Sequence, residues 1–203
     1  MKREKLIRKY DKQVSAYETN RDNPTLVKWR SRIIPDAYGS VLEIGIGVGA
    51  NFAYYEREKV KELLGVDFSK EMIRGAEREA SKHHIKTSFI NKDIRHVHFE
   101  SNSFDSIVST LTLCGYPNPV DTLNKINDWC RKDGKVLLME HGLSTNPFLS
   151  VTQKIVDPLF NKVSGCHCNR NMIKLVEKSR LQIERVERYW SGIICLIWAR
   201  PRE

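Results

Sequence analysis

The stretch Glu43-Ile44-Gly45-Ile46-Gly47-Val48-Gly49 sets three alternating glycines after an apolar run, with a carboxylate two residues ahead of the first. Glycines there let backbone approach a ligand that a Cβ would push away. Eighteen residues past Gly49, the run from Glu62 ends in Asp67. An acid at that point accepts hydrogen bonds from the two hydroxyls of a ribose. Turn and acid together point to an adenosine-containing ligand. Gly45-x-Gly47-x-x-Ala50 also satisfies the dinucleotide fingerprint, with alanine in the third place. A Tyr55-x-x-x-Lys59 pair follows, but it belongs to the first helix, far from a hydride-transfer centre. Two carboxylates favour S-adenosylmethionine instead. Glu43 is placed to meet a cationic amino-acid end, and Asp93, closing the third strand, suits the exocyclic amine of adenine.

His141 ends the fifth strand on the same crevice and is placed to take a proton from an acceptor. Cys114, Cys166 and His167 are further candidates for the acceptor pocket. Cys166-His167-Cys168 has the look of half a metal site, but no second Cys/His pair completes it, so no metal is expected. The five cysteines are odd in number and none is spaced C-x-x-C, which reads as reduced thiols in a cytoplasmic chain.

The elements that must position these residues alternate. Leu6, Tyr10, Val14 and Tyr17 fall at helical spacing, so the chain opens on an amphipathic basic helix, and Thr25 to Ile34 forms a second helix before Pro35. Strands are expected at 41–45, 62–67, 87–93, 104–110 and 135–141. Helices are expected from Ala50, from the N-cap Ser69 to about Lys82, and over 120–131. Asp133-Gly134 reads as the turn into the fifth strand. Nearly continuous apolar strands alternating with helices mean a parallel sheet covered on both faces. The tail differs: helices over 147–162 and 171–179 precede two strand-like runs with only Ser191-Gly192 between them, a closing hairpin with an antiparallel last strand. The fold expected is α/β, Rossmann-like and doubly wound, in one domain over 1–203 with a helical lid over 1–34.

The chain has 203 residues, 40% apolar and 29% charged, enough for a core without staples. Its longest apolar run, Ile193 to Ala199, is far short of a membrane span. Collagen-like, disulfide-knot and integral membrane classes are excluded. Of the net charge of +9, six units lie in residues 1–32, with ten Lys or Arg against four acids. Such a face suits anionic lipid or nucleic acid. No basic motif interleaved with aromatics supports nucleic acid as a partner.

With these motifs in place, the sequence resembles the class I S-adenosylmethionine-dependent methyltransferases. VLEIGIGVGANF looks like the first motif of that family, GVDFSKEM the second and NKDIRHVHFESNSFD the third, the resemblance covering residues 10–141. It is most similar to the branch of ubiquinone/menaquinone, phospholipid N- and alkyl-thiol methyltransferases. TLTLCGYPNPVDTLNKINDWCRKDGKVLLMEH and DPLFNKVSGCHCNRN are similar to the thiol-methylating group, though that group's N-terminal membrane anchor is not expected here. The resemblance implies that Gly45, Gly47 and Gly49 line the methionine and ribose portions, with Glu43 at the amino group. It implies Asp67 at the ribose, Phe68 and Met72 against adenine, Asp93 and Ile94 at the adenine edge, and Thr110 and Leu111 beside the sulfonium. Tyr10 and Tyr17 resemble lid tyrosines, and Tyr17 joins His141 as a catalytic candidate. The acceptor implied is small and partly apolar: a thiol, a lipid amine or a quinone-like ring. A monomer or homodimer is expected, with weak peripheral contact to anionic membranes through the first helix. The competing readings are an NAD(P)-dependent oxidoreductase and an RNA-directed methyltransferase or nucleic-acid-binding module.

Overall fold

Apolar side chains on both faces of a strand require a layer of helices on each side, and the computed structural model has that arrangement. It describes residues 3–202; Lys2, one of the basic residues of the opening segment, lies outside them. The strands are β1 (Gly39–Ile44), β2 (Val60–Asp67), β3 (Lys86–Asn91), β4 (Phe104–Thr110), β5 (Cys130–His141), β6 (Leu181–Tyr189) and β7 (Ile194–Pro201). They form one sheet in the order β3-β2-β1-β4-β5-β7-β6. The first five are parallel, and β7 runs antiparallel to both β5 and β6, as the closing hairpin requires.

The helices are α1 (Arg3–Asp11), α2 (Val14–Asn20), α3 (Pro24–Ile33), α4 (Lys70–Ala80), α5 (Pro119–Trp129), α6 (Pro147–Ser164) and α7 (Met172–Glu177). One face of the sheet sends Val41, Val108 and Leu137 against Trp29 and Ile33 of α3 and Ile73 and Ala76 of α4. The other sends Leu42, Ile107 and Leu138 against Leu123 and Ile126 of α5 and Val176 of α7. Successive residues of a strand serve opposite layers, which is why the strand runs lack alternation.

Three local expectations need correction. No α-helix follows the glycine turn: only a single 3-10 turn, Phe52–Tyr54, separates it from β2. The glycines take left-handed φ, and Asn51 and Tyr55 are drawn inward to Glu43, so the backbone is not free to wind. Tyr55 and Lys59 therefore share no helix. The basic opening is two helices, broken after Asp11, rather than one. The Asp133-Gly134 turn is absorbed into β5 as an irregularity in its pairing with β4, between Phe104 and Ser106.

Strand order reverses between β1 and β4, the neighbours that start opposite halves of the sheet. Loops after those strands must part there, leaving a crevice at their carboxyl ends.

Candidate active site

A cavity of about 490 Å³ fills that crevice, within the range of small-molecule sites. Gly45 and Gly47 form its floor. Gly47 has φ +56°, and a Cβ added to it would meet nothing within 4 Å, so the space above its backbone belongs to the cavity. Gly49 does different work. Its Cβ would lie 2.6 Å from a ring carbon of Phe52, and the residue does not border the cavity; it seats the turn on the core.

Asp67 lines the cavity from the end of β2. One carboxylate oxygen accepts from the Gly47 N–H at 3.0 Å and the other from the Ser69 N–H at 2.9 Å. Each oxygen retains a lone pair for a further donor. Burial pushes its pKa up to about 6, against the pull of the backbone donors from Ser69 and Gly47. Ser69 caps α4 by accepting from the Met72 N–H at 3.1 Å. That cap holds Phe68 and Met72 on the cavity wall.

Asp93, Ile94, Thr110 and Leu111 also border the cavity. Asp93 is gripped by Arg95, whose Nη2 donates at 2.6 Å. Leu111 takes φ +55°, a conformation that L-residues with a Cβ adopt only where surrounding structure enforces it. Tyr10 of α1 and Tyr17 of α2 close the opposite side, 6.3 Å apart between ring centroids, and the Tyr10 ring meets Phe68 edge-on at 5.3 Å. Ser69 Oγ donates to Asp11 at 2.5 Å, tying α1 down. Arg21, just past α2, pairs with Glu79 and donates to the Val48 carbonyl at 3.0 Å. Burial raises Tyr17 to about 12, so its phenol is a neutral hydrogen-bonding group at physiological pH.

Glu43 stands behind the glycine turn rather than on the cavity wall. Its oxygens accept from Asn51 Nδ2 at 2.8 Å and the Tyr55 hydroxyl at 2.7 Å, and burial lifts it to about 7. Three basic residues line the cavity, Arg30, Lys92 and Arg95, and of these Arg30, which sequence reasoning passed over, is the buried one. It is 6% exposed, and its Nε has no hydrogen-bond partner. A buried guanidinium stays charged and calls for an anion. A signal was present: Arg30 interrupts the apolar stripe Leu26, Ile33 of α3, where a helix face turns inward.

His141 does not border the cavity. With Cys114, on the turn after β4, and Cys166, after α6, it forms a knot whose ligand-type atoms all lie within 4.8 Å of one another. His167 does border the cavity, its Nδ1 held 2.8 Å from Asp157, and Cys168 N donates to the same carboxylate. All five cysteines are free thiols. The side chains of the Cys-His-Cys run thus diverge: Cys166 joins Cys114 and His141, His167 meets Asp157, and Cys168 Sγ lies 3.6 Å from the Gln153 carbonyl.

This cradle fits S-adenosylmethionine. It offers a buried acid for ribose, an apolar slot for adenine and, for a carboxylate, a buried guanidinium whose Nη1 donates to the Arg21 carbonyl at 3.4 Å while its Nε has no partner. It does not fit a dinucleotide, whose pyrophosphate needs a helix N-terminus after the glycine turn; here the turn leads into a single 3-10 turn.

Comparison with known proteins agrees. Residues 42–138 match the family model of a methyltransferase domain. The mitochondrial methyltransferase OMS1 of Saccharomyces cerevisiae is 24% identical over 197 residues, covering 87% of this chain and 41% of its own. A phosphatidylethanolamine N-methyltransferase of Cereibacter sphaeroides is 24% identical over 71% of both chains. The human thiol S-methyltransferase TMT1A is 26% identical over 75% of this chain and 65% of its own. The match therefore spans less than half of the yeast relative. Among solved structures, a chain of the complex between the Haloferax volcanii Trm112 methyltransferase activator and a methyltransferase has a TM-score of 0.75. It covers 96% of this chain and 98% of that one at 14% identity, a likeness of fold alone.

Proposed function

We propose that this chain is a class I S-adenosylmethionine-dependent methyltransferase that methylates a small, partly apolar acceptor taken from a lipid surface, a reading supported by the methyltransferase-domain match and the relatives. The observation that carries the acceptor's character is α6. Phe148, Val151, Ile155, Leu159 and Val163 are spaced three or four apart along one stripe and stand more than half exposed, Phe148 at 80%. Asn161, near the end of the same helix, lines the cavity. Monomeric proteins rarely expose so continuous an apolar stripe. Laid in a membrane interface, it buries its apolar side chains while Lys154 and Lys162 and the net charge of +9 favour anionic headgroups. No helix among the described residues is long and apolar enough to cross a membrane. The apolar stripe of α1 and α2, expected to cover the cofactor, borders the cavity through Leu6, Tyr10 and Tyr17, which leaves the outer basic face of these helices for weaker contact with anionic headgroups.

When bound, S-adenosylmethionine supplies a methyl group on a positively charged sulfur. Asp67 holds the ribose, Asp93 and Ile94 the adenine edge, and Phe68 and Met72 its faces. Arg30 takes the carboxylate, with Glu43 balancing its charge from behind. Thr110 and Leu111 border the reacting end. Tyr10 and Tyr17 close over the site and exclude water, so the rate comes from proximity and desolvation. The test is turnover on a panel: an alkanethiol, phosphatidylethanolamine and a demethylated quinol, against RNA and protein. Methylation of one of the first three supports the reading; methylation of RNA or protein alone overturns it.

A further inference from the structure

We propose that Cys114, His141 and Cys166 bind one zinc-class cation, leaving its fourth position open toward the cavity for a thiol acceptor held as the thiolate. The proposal rests on the methyl-transfer reading and names its acceptor.

Three elements far apart in sequence bring these side chains together: the turn after β4, the end of β5 and the loop after α6. Their donor atoms all lie within 4.8 Å of one another. Around a tetrahedral zinc, with bonds of about 2.0–2.3 Å, ligand atoms stand roughly 3.3–3.8 Å apart, so rotamer adjustment closes the difference. The surrounding backbone is pinned by groups with no part in the cofactor cradle. Glu140, fully buried, accepts from the Thr112 N–H at 3.0 Å and the Leu113 N–H at 3.2 Å. Arg170 donates to the Leu113 carbonyl at 2.9 Å, and the His167 N–H donates to the Cys114 carbonyl at 3.1 Å. Asp157 anchors the other loop through His167 and Cys168. Outer partners that immobilise ligands in this way are a feature of built metal sites.

No fourth His, Cys, Asp or Glu among the described residues joins the cluster. Three protein ligands and one exchangeable position is the pattern of catalytic rather than structural zinc. Gly115 beside Cys114 and Gly165 beside Cys166 are cavity residues, and the Tyr10 hydroxyl, also on the cavity, lies 3.7 Å from Cys166 Sγ. None of the three ligands borders the cavity itself, so an acceptor reaches the open position from the cavity past Gly115, Gly165 and the Tyr10 hydroxyl.

Two thiolates and an imidazole make a soft site that prefers a third sulfur to an amine or a ring carbon. A thiol entering there displaces the bound water and releases its proton to solvent. The thiolate lone pair forms the new S–C bond while the sulfonium S–C bond breaks, its electron pair staying on the departing sulfur. The thioether formed is neutral, binds zinc weakly, and yields to water.

The test uses the full chain, purified under reducing conditions without chelator or polyhistidine tag. Elemental analysis is expected to find about one zinc per chain, falling at least about tenfold in Cys166→Ser and in His141→Ala but not in Cys195→Ser. The S-adenosylhomocysteine affinity of each variant serves as the folding control. In the cobalt-substituted protein, an alkanethiol is expected to strengthen the sulfur-to-cobalt charge-transfer band, and an alkylamine to leave it unchanged. Protein that binds S-adenosylhomocysteine but holds no metal, or carries a Cys114–Cys166 disulfide, overturns the site. A cobalt spectrum indifferent to thiols overturns the acceptor. Loss of S-adenosylhomocysteine binding in the unmodified chain strikes the methyl-transfer reading instead.

Discussion

Burial works against the charge of Asp67, and the backbone donors of Ser69, Gly47 and Phe68 work for it. Its raised pKa of about 6 makes cofactor affinity depend on pH in a stated direction. Above 6 the carboxylate is ionised and, in the proposed role, accepts from both ribose hydroxyls; below 6 it is protonated and that capacity is reduced. Calorimetry with S-adenosylhomocysteine from pH 8 to 5 should show affinity falling through 6, by up to about tenfold per pH unit. Asp67→Asn should weaken binding at pH 8 by about 1.5–3 kcal/mol and flatten that limb. A variant with the parent's affinity and pH profile would remove Asp67 from the ribose site. Arg30 has a separate signature, because only the amino-acid part of the ligand carries a carboxylate. Arg30→Gln should cost S-adenosylhomocysteine about 1.5–3 kcal/mol and leave 5′-methylthioadenosine, which has no carboxylate, nearly unaffected. Equal losses for the two ligands would mean that Arg30 supports the pocket without touching the carboxylate. Neither assignment follows from residue type alone. Glu43 stood in a motif and was legible, whereas Arg30 lay among ten basic residues whose burial the sequence does not display.

At the scale of elements, the two opening helices and α6 do different jobs that their sequences describe in similar terms. α1 and α2 are fastened to the body by Asp11–Ser69, Arg21–Glu79 and the Glu18–Arg78 pair. Exposed pairs such as Glu18–Arg78 contribute little each, so the proposed lid is only weakly fastened there. Removing residues 1–20 should cost only the helical signal of α1 and α2 and leave cooperative unfolding intact, since α3 starts only at Pro24, while turnover falls by about tenfold or more. Full activity in the truncated chain would end the lid assignment. α6 is expected to answer to lipid instead. Ile155→Ser with Leu159→Ser removes two large apolar side chains, worth about 1.5–3 kcal/mol each when buried. Vesicle co-sedimentation should drop sharply, with turnover of a soluble short-chain acceptor preserved. Unchanged sedimentation would show that the stripe meets something other than a bilayer.

For the whole molecule, the cradle joins β1, β2, β4, α3 and the lid, so ligand binding should stabilise the fold as a unit. A ligand at 100 times its Kd adds about 2.7 kcal/mol, and for a chain of this size each kcal/mol moves Tm by roughly 2–4 °C. S-adenosylhomocysteine at that excess should raise Tm by about 5–10 °C in a melting scan, and NADH or NADPH should not. A shift with the nicotinamide cofactors instead would restore the dinucleotide reading that the missing helix argues against.

The sequence by itself determined the places of the strands and their mostly parallel direction, because runs such as Val41 to Ile44 and Val136 to Met139 are apolar on both faces and demand two helical layers. Their order in the sheet came from the tertiary structure. The sequence determined the crevice end too, since Gly45, Gly47 and Asp67 close strands that must point the same way. Ser69 announced its helix by cap chemistry, and the Ser191-Gly192 turn announced the hairpin. What followed Gly49 was decided by tertiary contacts. Glu43 captures Asn51 and Tyr55 from beneath, and those two hydrogen bonds are worth more to the buried carboxylate than a helix would be to ten residues of middling propensity. The metal-type knot was decided the same way. Cys166-His167-Cys168 reads as incomplete because its complement, Cys114 and His141, comes from other strands. Spacing along a chain reports only partners within one element, and a site assembled across a switch point becomes visible when the sheet brings its loops together.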